Sequence, residues 1–551
     1  MELIYKKYVI DETDENGVLK SIKFKYNDDF NFGFDVIDAL GDKIPGKRAM
    51  VWVSERGEEK VFTFRDIKVY SSKAANYFKS LGIKKGDRVM LILKRDYQFW
   101  YAINGLHKVG AIAIPATHLL TKEDLIYRFN AAGVKAVVCV GEEPILTSIE
   151  NALPHSPTVT ILSITKTHRK GWDNFDDGVE KASDYFPRSA NSNKADDLML
   201  MYFTSGTTGY PKISSHSFTY PLGHVSTARF WHNVDPDGLH LTVSDTGWAK
   251  SMWGKLYGQW LCEACIFTYD YEKFVAHDIL TLIQKYKITT FCAPPTIYRF
   301  FIKEDLSKYD LSCLKYATIA GEALNPEVYN QFLKHTGVKL MEAYGQTELT
   351  VTVGNFVGMT PKPGSMGKPN PQYDVDLIDE HGNSVRPGEI GEIVVYTHNP
   401  ACGFFKGYYI NGKVEPAWGE DNIYHTGDTA WKDEDGYYWY VGRTDDLIKS
   451  SGYRIGPFEI ESVIMELPYV LECAVTGVPD PIRGTVVKAT IVLAKGYEPS
   501  EELKKDVQNY VKKHTAPYKY PRIVEFVSEL PKTISGKIRR VELREKDKKQ
   551  G

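Results

Sequence analysis

The stretch that decides the fold is Tyr202-Phe-Thr-Ser-Gly-Thr-Thr-Gly-Tyr-Pro-Lys212. It joins an apolar run to a loop of glycines and hydroxyl residues that ends in a lysine. Glycine allows tight turns and a close approach of backbone N–H groups to an anion, while hydroxyl groups and an ammonium add further donors. The stretch therefore predicts a phosphate-binding loop after a strand. Its expected phosphate ligands are Thr204, Ser205, Gly206, Thr207, Thr208, Gly209 and Lys212.

Two common phosphate motifs are excluded. A Walker A loop ends in Gly-Lys-Ser/Thr, and no Gly-Lys pair in this chain is followed by Ser or Thr. A dinucleotide fingerprint begins with two glycines one residue apart, and the chain has no such pair. On spacing alone a solvated loop remains the alternative, because loops are often rich in Ser, Thr and Gly.

Apolar runs alternate with helical patterns through the first part of the chain. This alternation predicts βα repetition and a mostly parallel sheet. The predicted strands are 88–93, 111–115, 135–140, 198–203, 289–293 and 317–320, with a helix at 97–109. The residues at 321–324 and 344–348 follow strand ends, where open α/β sheets place their ligands. From 373 to 396 the period changes to two, which predicts an antiparallel β region.

The last hundred residues read as a separate α+β unit. Strands are predicted at 474–478 and 486–493, and a charged helix at 501–514. The expected fold class is therefore α/β, with a large N-terminal domain at 1–444, built from mostly parallel sheets with helices plus the antiparallel region, and a small α+β C-terminal domain at 445–551.

Composition excludes several classes of protein. The chain has 551 residues and a formal net charge of −3, so neither nucleic acid nor stable membrane insertion is expected. Apolar runs stay well short of the roughly 20 residues that a membrane helix needs, and the first residues lack a signal-peptide core, which favours a cytoplasmic location. The seven cysteines are scattered. Cys262 and Cys265 form a lone C-x-x-C pair that we interpret as core residues.

Further motifs follow the phosphate loop in order. They are Gly321-Glu-Ala-Leu324, Tyr344-Gly-Gln-Thr-Glu348, Tyr424-His-Thr-Gly-Asp428, Gly442-Arg-Thr-Asp-Asp-Leu-Ile-Lys449, Ser450-Ser-Gly-Tyr-Arg-Ile-Gly456 and Pro531-Lys-Thr-Ile-Ser-Gly-Lys537. Together they resemble the adenylate-forming superfamily, which includes acyl-CoA synthetases, luciferases and the adenylation domains of peptide synthetases. The resemblance runs along most of the chain and is strongest to medium-chain acyl-CoA synthetases.

The resemblance implies an ATP site with defined roles. Lys537 would bridge the acyl carboxylate and the α-phosphate, Glu348 would bind Mg²⁺, and Thr347 would contact the α-phosphate. Asp428 would hold the ribose, Arg443 the ribose or phosphates, and Arg454 a phosphate or the acyl group. The adenine slot and its surroundings would be formed by Gly321, Glu322, Ala323, Glu342, Ala343, Tyr344, Gly345 and Gln346.

The resemblance also implies coenzyme A as the acyl acceptor. The C-terminal domain would turn about a hinge near Asp445 between two half-reactions. Basic groups suit the phosphates of CoA, and a glycine lets its thin pantetheine arm pass the backbone. The residues carried over to this role are Ser451, Gly452, Tyr453, Arg483, Lys512, Tyr520 and Arg522.

The acyl pocket departs from that of acetyl-CoA synthetases, which carry tryptophan just before Gln-Thr-Glu. Here that position is Gly345, so the sequence predicts a deeper pocket, with Trp248 as one wall. Each buried methylene contributes roughly 0.8 kcal/mol, which favours a medium-chain or branched acid over acetate.

Other functions stay open at this point. They are an aryl acid ligase acting on benzoate or phenylacetate, transfer of the acyl group to a carrier protein, luciferase-type oxidation, and an inactive binding homologue. The charged motif residues argue against the last. The expected partners are therefore ATP, CoA and a small carboxylic acid, with a homodimer as an option.

Overall fold

The computed structural model describes residues 2–204, 210–322, 324–450, 453–480, 484–533 and 537–550, without the side chains at 454, 484, 549 and 550. Within these ranges the α-helices are α1 (Ala39–Lys43), α2 (Phe64–Ser80), α3 (Gln98–Val109), α4 (Lys122–Ala132), α5 (Ile145–Ala152), α6 (Phe175–Lys181), α7 (Tyr220–Val225), α8 (Lys250–Gly254), α9 (Tyr257–Leu261), α10 (Ala276–Tyr286), α11 (Pro295–Phe301), α12 (Pro326–Thr336), α13 (Pro457–Ile464), α14 (Glu501–His514) and α15 (Arg540–Gln550).

The strands in the same ranges form six sheets. They are β1 (Val9–Thr13), β2 (Leu19–Phe24), β3 (Arg48–Ser54), β4 (Glu59–Thr63), β5 (Arg88–Ile92), β6 (Ile112–Pro115), β7 (Ala136–Cys139), β8 (Ile161–Ile164), β9 (Asp173–Asn174), β10 (Leu198–Thr204), β11 (Lys212–Ser217), β12 (Leu239–Thr242), β13 (Cys265–Asp270), β14 (Thr290–Ala293), β15 (Tyr316–Ile319), β16 (Leu340–Gly345), β17 (Val351–Gly354), β18 (Lys368–Pro369), β19 (Asp374–Ile378), β20 (Ile390–Tyr396), β21 (Gly407–Ile410), β22 (Lys413–Glu415), β23 (Ile423–Lys432), β24 (Tyr438–Arg443), β25 (Ile448–Ser450), β26 (Tyr453–Ile455), β27 (Val470–Asp480), β28 (Gly484–Leu493) and β29 (Ile523–Val527).

Two nine-stranded sheets make up most of the N-terminal domain. The first has the order β22-β21-β11-β10-β6-β5-β7-β8-β9 and the second the order β18-β17-β16-β15-β14-β12-β13-β3-β4. The central strands of both are parallel. Antiparallel strands lie at one edge of the first sheet and at both edges of the second. The strands are buried on both faces because helices cover them, which is why they read as continuous apolar runs.

A four-stranded antiparallel sheet follows, with the order β19-β20-β23-β24. Residues 373–396 therefore form the antiparallel region that their period of two predicts. The turn between β19 and β20 is stabilised by Asp379, whose side chain accepts hydrogen bonds from the backbone N–H groups of His381 (2.8 Å) and Asn383 (2.9 Å).

The C-terminal domain is a small α+β unit. Its sheet has the order β27-β28-β29, and α13, α14 and α15 pack around it over an apolar core that includes Ile460, Val475 and Val511. The predicted helix at 501–514 is confirmed residue for residue, and both predicted strands are confirmed with longer ends.

Helix ends follow the local sequence. Thr63 and Asp66 form a reciprocal capping box at the start of α2, and Thr121 and Asp124 do the same for α4. Gly133 then ends α4 in the left-handed conformation, at φ 60°. These caps fix where α2 and α4 begin and where α4 ends.

The structure also bears on the predictions made for the cysteine pair and for membrane-spanning helices. Cys262 and Cys265 are buried free thiols, and burial raises the pKa of each to about 12, as expected for core residues. Among the helices in the described ranges, none combines the length and apolar character that a membrane crossing requires.

Candidate active site

The predicted phosphate loop connects the antiparallel strands β10 and β11. Thr204 pairs with Lys212 at the open end of this hairpin. Ser205, Gly206, Thr207, Thr208 and Gly209 lie outside the described residues, so their predicted role stays a prediction. The Lys212 ammonium lies 4.7 Å from the ring centre of Tyr408, at the mouth of the hairpin.

Glu348 lies beside this lysine and is buried. The hydroxyl group of Tyr408, in β21, donates a hydrogen bond of 2.9 Å to Oε1 of Glu348. Burial raises the pKa of Glu348, while Tyr408 and the positive charge of Lys212 act in the opposite direction. A hard cation such as Mg²⁺ binds carboxylate oxygens together with substrate phosphates. The Glu348 carboxylate, which accepts a hydrogen bond on Oε1 and lies next to the phosphate hairpin, is suited to bind Mg²⁺.

Thr347 is held by a residue of the first sheet. Nε2 of His216, in β11, donates a hydrogen bond of 2.9 Å to the carbonyl oxygen of Thr347. Burial lowers the pKa of His216 to about 3, so the ring is neutral and its Nε2 carries the proton that this bond requires. The contact fixes the Gln-Thr-Glu segment against the strand that carries Lys212.

Asp428, on the four-stranded antiparallel sheet, is hydrogen-bonded to residues at the end of β16 in the second large sheet. Its Oδ2 accepts hydrogen bonds from the Tyr344 hydroxyl and from Nε2 of Gln346, both at 2.7 Å. Its Oδ1 accepts one from the Tyr440 hydroxyl at 3.1 Å, and Arg443 lies 3.6 Å away. Tyr344 and Gln346 come from the end of β16, whereas Asp428 and Arg443 are paired across β23 and β24. The predicted ribose residue is thus held rigidly from both sides.

The predicted adenine slot lies at the ends of β15 and β16, where Ile319 pairs with Glu342. Gly321 follows β15 with φ 109°, a conformation that strongly favours glycine. Nζ of Lys250 donates a hydrogen bond of 2.7 Å to the carbonyl oxygen of Ala320 and lies beside Gly321. The carboxylate of Glu322 is half-exposed at the same rim. Ala323 lies outside the described residues.

Glu342 is a buried carboxyl group on β16. Its Oε1 accepts a hydrogen bond of 3.1 Å from the backbone N–H of Leu324. Burial raises the pKa of Glu342 to about 8, so the group is largely protonated at neutral pH. Ala343, the next residue, is buried in the main apolar core. Both residues lie at the end of β16, and their predicted place in the nucleotide site stays a prediction.

Lys537 belongs to the C-terminal domain, and its side chain is exposed. Burial chiefly lowers the pKa of Lys250, and the positive charge of Lys537 acts in the same direction. The predicted catalytic role of Lys537 stays a prediction.

Aromatic and basic side chains form a surface on the C-terminal domain. The rings of Tyr453 and Tyr518 stack at 3.9 Å with an interplanar angle of 13°. Lys512 lies 4.1 Å above the ring of Tyr520, whose hydroxyl group accepts a hydrogen bond of 2.7 Å from Arg522. Four of the residues assigned to CoA by resemblance thus make contacts in two groups, Tyr453 with Tyr518 and Lys512 and Arg522 with Tyr520, and their role stays a prediction. Ser451, Gly452, Arg483 and the side chain of Arg454 lie outside the described residues.

Gly345 lies against an indole group that α8 supplies. A Cβ atom at Gly345 would lie 2.4 Å from Cη2 of Trp253 and 2.4 Å from the carbonyl oxygen of Thr350. Trp253 therefore takes the space that a side chain at 345 would need, and the role of Gly345 in a deeper acyl pocket stays a prediction.

Trp248 lies at the start of the turn that leads into α8. Its carbonyl oxygen accepts a hydrogen bond of 2.9 Å from Ser251, and the residue is half-buried. Its predicted role as a pocket wall stays a prediction.

Five residues of the site escaped the sequence analysis. They are Lys250, Trp253, Tyr408, Tyr440 and Tyr518. Lys250 and Trp253 lie in the aromatic-rich stretch 249–260, and Tyr518 lies two residues before Tyr520. Tyr408 and Tyr440 had no signal, because their hydrogen bonds to Glu348 and Asp428 span 60 and 12 positions and follow no local sequence pattern.

The site and fold together define a nucleotide-binding α/β enzyme with a separate C-terminal domain. The family model described as AMP-binding enzyme matches residues 38–409, and the model described as AMP-binding enzyme C-terminal domain matches residues 459–537. The chain belongs to the family of AMP-binding enzymes.

Similar proteins cover nearly the whole chain. The acyl-coenzyme A synthetase ACSM4, mitochondrial, of Homo sapiens is 42% identical over 531 residues, which are 94% of this chain and 90% of that protein. The mitochondrial acyl-coenzyme A synthetase ACSM3 of Pongo abelii is 41% identical over 529 residues, with the same shares.

Solved structures of CoA ligases and acyl-CoA synthetases have a fold similar to that of this chain. The anthranilate CoA ligase AuaEII in complex with anthranoyl-AMP has a TM-score of 0.85 at 28% identity and covers 95% of this chain and 98% of its own. The acyl-CoA synthetase of Brucella canis has a TM-score of 0.71 at 31% identity and covers 96% of each chain.

The raised pKa of Glu342 predicts a pH-dependent stability. The unfolded chain loses this proton near pH 4.5 and the folded chain only near pH 8, so the folded state binds more protons between them. Stability should therefore fall as pH rises through this window. Glu342→Gln removes the titrating group, so the melting temperature of the wild type relative to the variant should fall between pH 5 and pH 8.

Thermal unfolding at several pH values checks this prediction. Glu420→Gln, at an exposed position, is the matched control and should follow the wild type at every pH. Parallel pH profiles for Glu342→Gln and the wild type would show that Glu342 does not titrate in this way.

Proposed function

We propose that the chain is an AMP-forming acyl-CoA synthetase that activates a medium-chain or branched carboxylic acid. The observation that carries the proposal is the grouping of Lys212, Glu348 and Asp428: Tyr408 contacts both Lys212 and Glu348, and Gln346, two residues before Glu348, contacts Asp428. The similarity to acyl-coenzyme A synthetases over nearly the full chain supports it.

The first half-reaction must bring two anions together. The carboxylate of the acid attacks the α-phosphorus of ATP, and pyrophosphate leaves to give an acyl-adenylate. The rate acceleration must come from positioning of the reactants and from positive charge, because this transfer requires little covalent chemistry from the protein. Asp428, with two oxygens fixed by hydrogen bonds, would hold the ribose hydroxyls. Lys537 would neutralise the carboxylate and the α-phosphate as they meet.

Mg²⁺ would be held by Glu348 together with the phosphates of ATP. It would supply charge neutralisation of the leaving pyrophosphate. Tyr408 holds Oε1 of Glu348, which orients the carboxylate toward the phosphate hairpin. Lys212 adds a second positive charge on the same side.

The second half-reaction would use CoA. Its thiol attacks the acyl carbonyl and releases AMP. The surface formed by Tyr453, Lys512, Tyr518, Tyr520 and Arg522 offers stacking for a base and positive charge for phosphates. We infer a hinge near Asp445 between domains 1–444 and 445–551, so that this surface and Lys537 serve different steps.

A cytoplasmic location and a homodimer stay predictions.

The pocket near Gly345 suggests the size of the acid. Trp253 is buried and packs edge to face with Trp231 at 6.3 Å, so it is a firm aromatic wall. A firm wall limits depth but accepts an aliphatic chain or branch along its face, and each methylene buried there favours the acid about four-fold.

An aryl acid is the second candidate. The same indole face offers stacking to an aromatic ring, which is worth about 0.5–1.5 kcal/mol beyond burial. Structures described as anthranilate and benzoate CoA ligases share the fold, at TM-scores of 0.85 and 0.80.

Release of AMP with purified protein, ATP, Mg²⁺ and CoA tests the proposal. The acids are acetate, butyrate, isobutyrate, 2-methylbutyrate, hexanoate, octanoate, benzoate and phenylacetate. We expect the highest kcat/KM among aliphatic acids longer than acetate. A maximum at benzoate or phenylacetate would select the aryl candidate. Adenylate formation without CoA-dependent turnover would favour transfer to a carrier protein, and no AMP with any acid would contradict the proposal.

Lys537→Ala should separate the two half-reactions. It removes the charge that meets the carboxylate and the α-phosphate, so acid-dependent exchange of pyrophosphate into ATP should fall by roughly 100-fold or more. Thioester formation from presynthesised acyl-AMP and CoA should stay within about three-fold, because that step has no α-phosphate attack. Lys532→Ala, on the same hairpin, is the control. Equal loss of both steps would exclude this role.

Trp253→Leu should change the acid preference. Replacing the indole by a smaller side chain lengthens the pocket, so kcat/KM should rise for octanoate relative to butyrate by about four-fold for each methylene that becomes buried. Trp439→Leu, far from Gly345 on β24, is the control for loss of an indole. An unchanged ratio of the two acids would remove Trp253 from the acyl pocket.

A further inference from the structure

Lys537 sits in a short hairpin that its own backbone closes. The carbonyl oxygen of Lys537 accepts a hydrogen bond of 2.8 Å from the N–H of Thr533, and its N–H donates to the Thr533 hydroxyl oxygen at 3.1 Å. One step further out, the N–H of Arg539 donates to the carbonyl oxygen of Pro531 at 2.8 Å. The described residues on either side of the turn are therefore paired, and the direction of the hairpin depends on how residues 537–540 are attached to the domain.

Arg540 connects this hairpin to the core of the C-terminal domain. It is the first residue of α15, three positions after Lys537, and its guanidinium group grips the Glu461 carboxylate with two nitrogen atoms. Nε lies 3.1 Å from Oε1 and Nη2 lies 2.8 Å from Oε2. Glu461 is buried in α13, where its Oε1 also accepts a hydrogen bond of 2.7 Å from the N–H of Val475 in β27. A bidentate pair of this kind fixes orientation as well as distance.

The same guanidinium group faces the predicted hinge. Nη1 of Arg540 lies 3.5 Å from Oδ2 of Asp446, and Arg544, one turn further along α15, donates to Oδ1 of Asp446. Asp446 follows Asp445, which pairs with Arg443 at 3.6 Å. Two arginines of α15 therefore connect the Lys537 hairpin to the residue next to the hinge and to the core helix α13.

We propose that Arg540 is the positioning residue for Lys537: through Glu461 and Asp446 it fixes the catalytic hairpin relative to the hinge, so that rotation of the C-terminal domain moves Lys537 as part of a rigid body. The proposal rests on the function proposed above. Glu461, Arg540 and Asp446 all follow the predicted hinge in the chain, so the network would be preserved in both orientations of the domain.

The effect of losing Arg540 should fall on one half-reaction. A displacement of about 1 Å in a group that must meet two anions can cost on the order of 100-fold in rate. Thiolysis of a preformed acyl-adenylate does not use Lys537 in this account, so it should be spared. Lys537 acts through its charge and Arg540 through the position of that charge, so the two losses should not add.

Pyrophosphate exchange and thiolysis of acyl-AMP are measured for the wild type, Arg540→Ala, Lys537→Ala and the double variant. We expect Arg540→Ala to reduce exchange by about 30- to 100-fold and to leave thiolysis within three-fold. In the Lys537→Ala background the same substitution should change exchange by less than two-fold. Arg539→Ala, at the exposed neighbour that pairs with Glu542, is the matched control and should keep both rates.

Three results would overturn the proposal. They are unchanged exchange in Arg540→Ala, equal loss of both half-reactions, and a further loss in the double variant that multiplies the single losses. Should Arg540→Ala not fold, Glu461→Gln carries the same test, because the glutamine side chain can still accept the bond from Val475 while losing the charge-assisted grip on Arg540. Absence of exchange in the wild type with every acid would instead contradict the proposed function.

Discussion

The hydrogen-bonded carboxylate of Asp428 is the interaction on which the site depends. Two strands of the antiparallel sheet present Asp428 and Arg443, and the end of a parallel strand presents Tyr344 and Gln346. A buried carboxylate is costly unless its oxygens have partners, and here hydroxyl and amide donors supply them. Satisfying one charge therefore fixes two sheets relative to each other at the place where a nucleotide would bind.

The other contacts of the site follow the same logic. His216 and Tyr408, from the first large sheet, hold Thr347 and Glu348, which follow the last parallel strand of the second. Each contact joins residues that belong to different sheets. The packing of the sheets therefore sets the positions of Thr347 and Glu348 relative to β11 and β21. Lys537 differs, because it belongs to the C-terminal domain and is exposed. A group that must serve one step and withdraw for the next is better carried on a separate domain than built into the sheets.

The periodic parts of the fold were predictable from the sequence. Buried strands such as β5, β10 and β14, and the charged helix α14, have patterns that local sequence alone determines. The charged motifs also predicted Glu348, Asp428 and Lys537 as site residues, and the structure gives Glu348 and Asp428 hydrogen-bond partners. The acyl pocket was less predictable, since Gly345 and Trp253 are 92 positions apart in sequence and only packing shows that one makes room for the other. Tyr440 and Arg540 act through side-chain contacts for which no local pattern exists.

The most direct test of the account is to follow oxygen atoms. The central claim is that the carboxylate of the acid attacks the α-phosphorus and is released only when a thiol displaces AMP. With butyrate or hexanoate labelled with ¹⁸O in both carboxylate oxygens, mass spectrometry should find one ¹⁸O in each AMP released in the presence of CoA and one in the thioester. AMP that carries no label, formed together with thioester, would contradict attack at the α-phosphorus and with it the role given to the site.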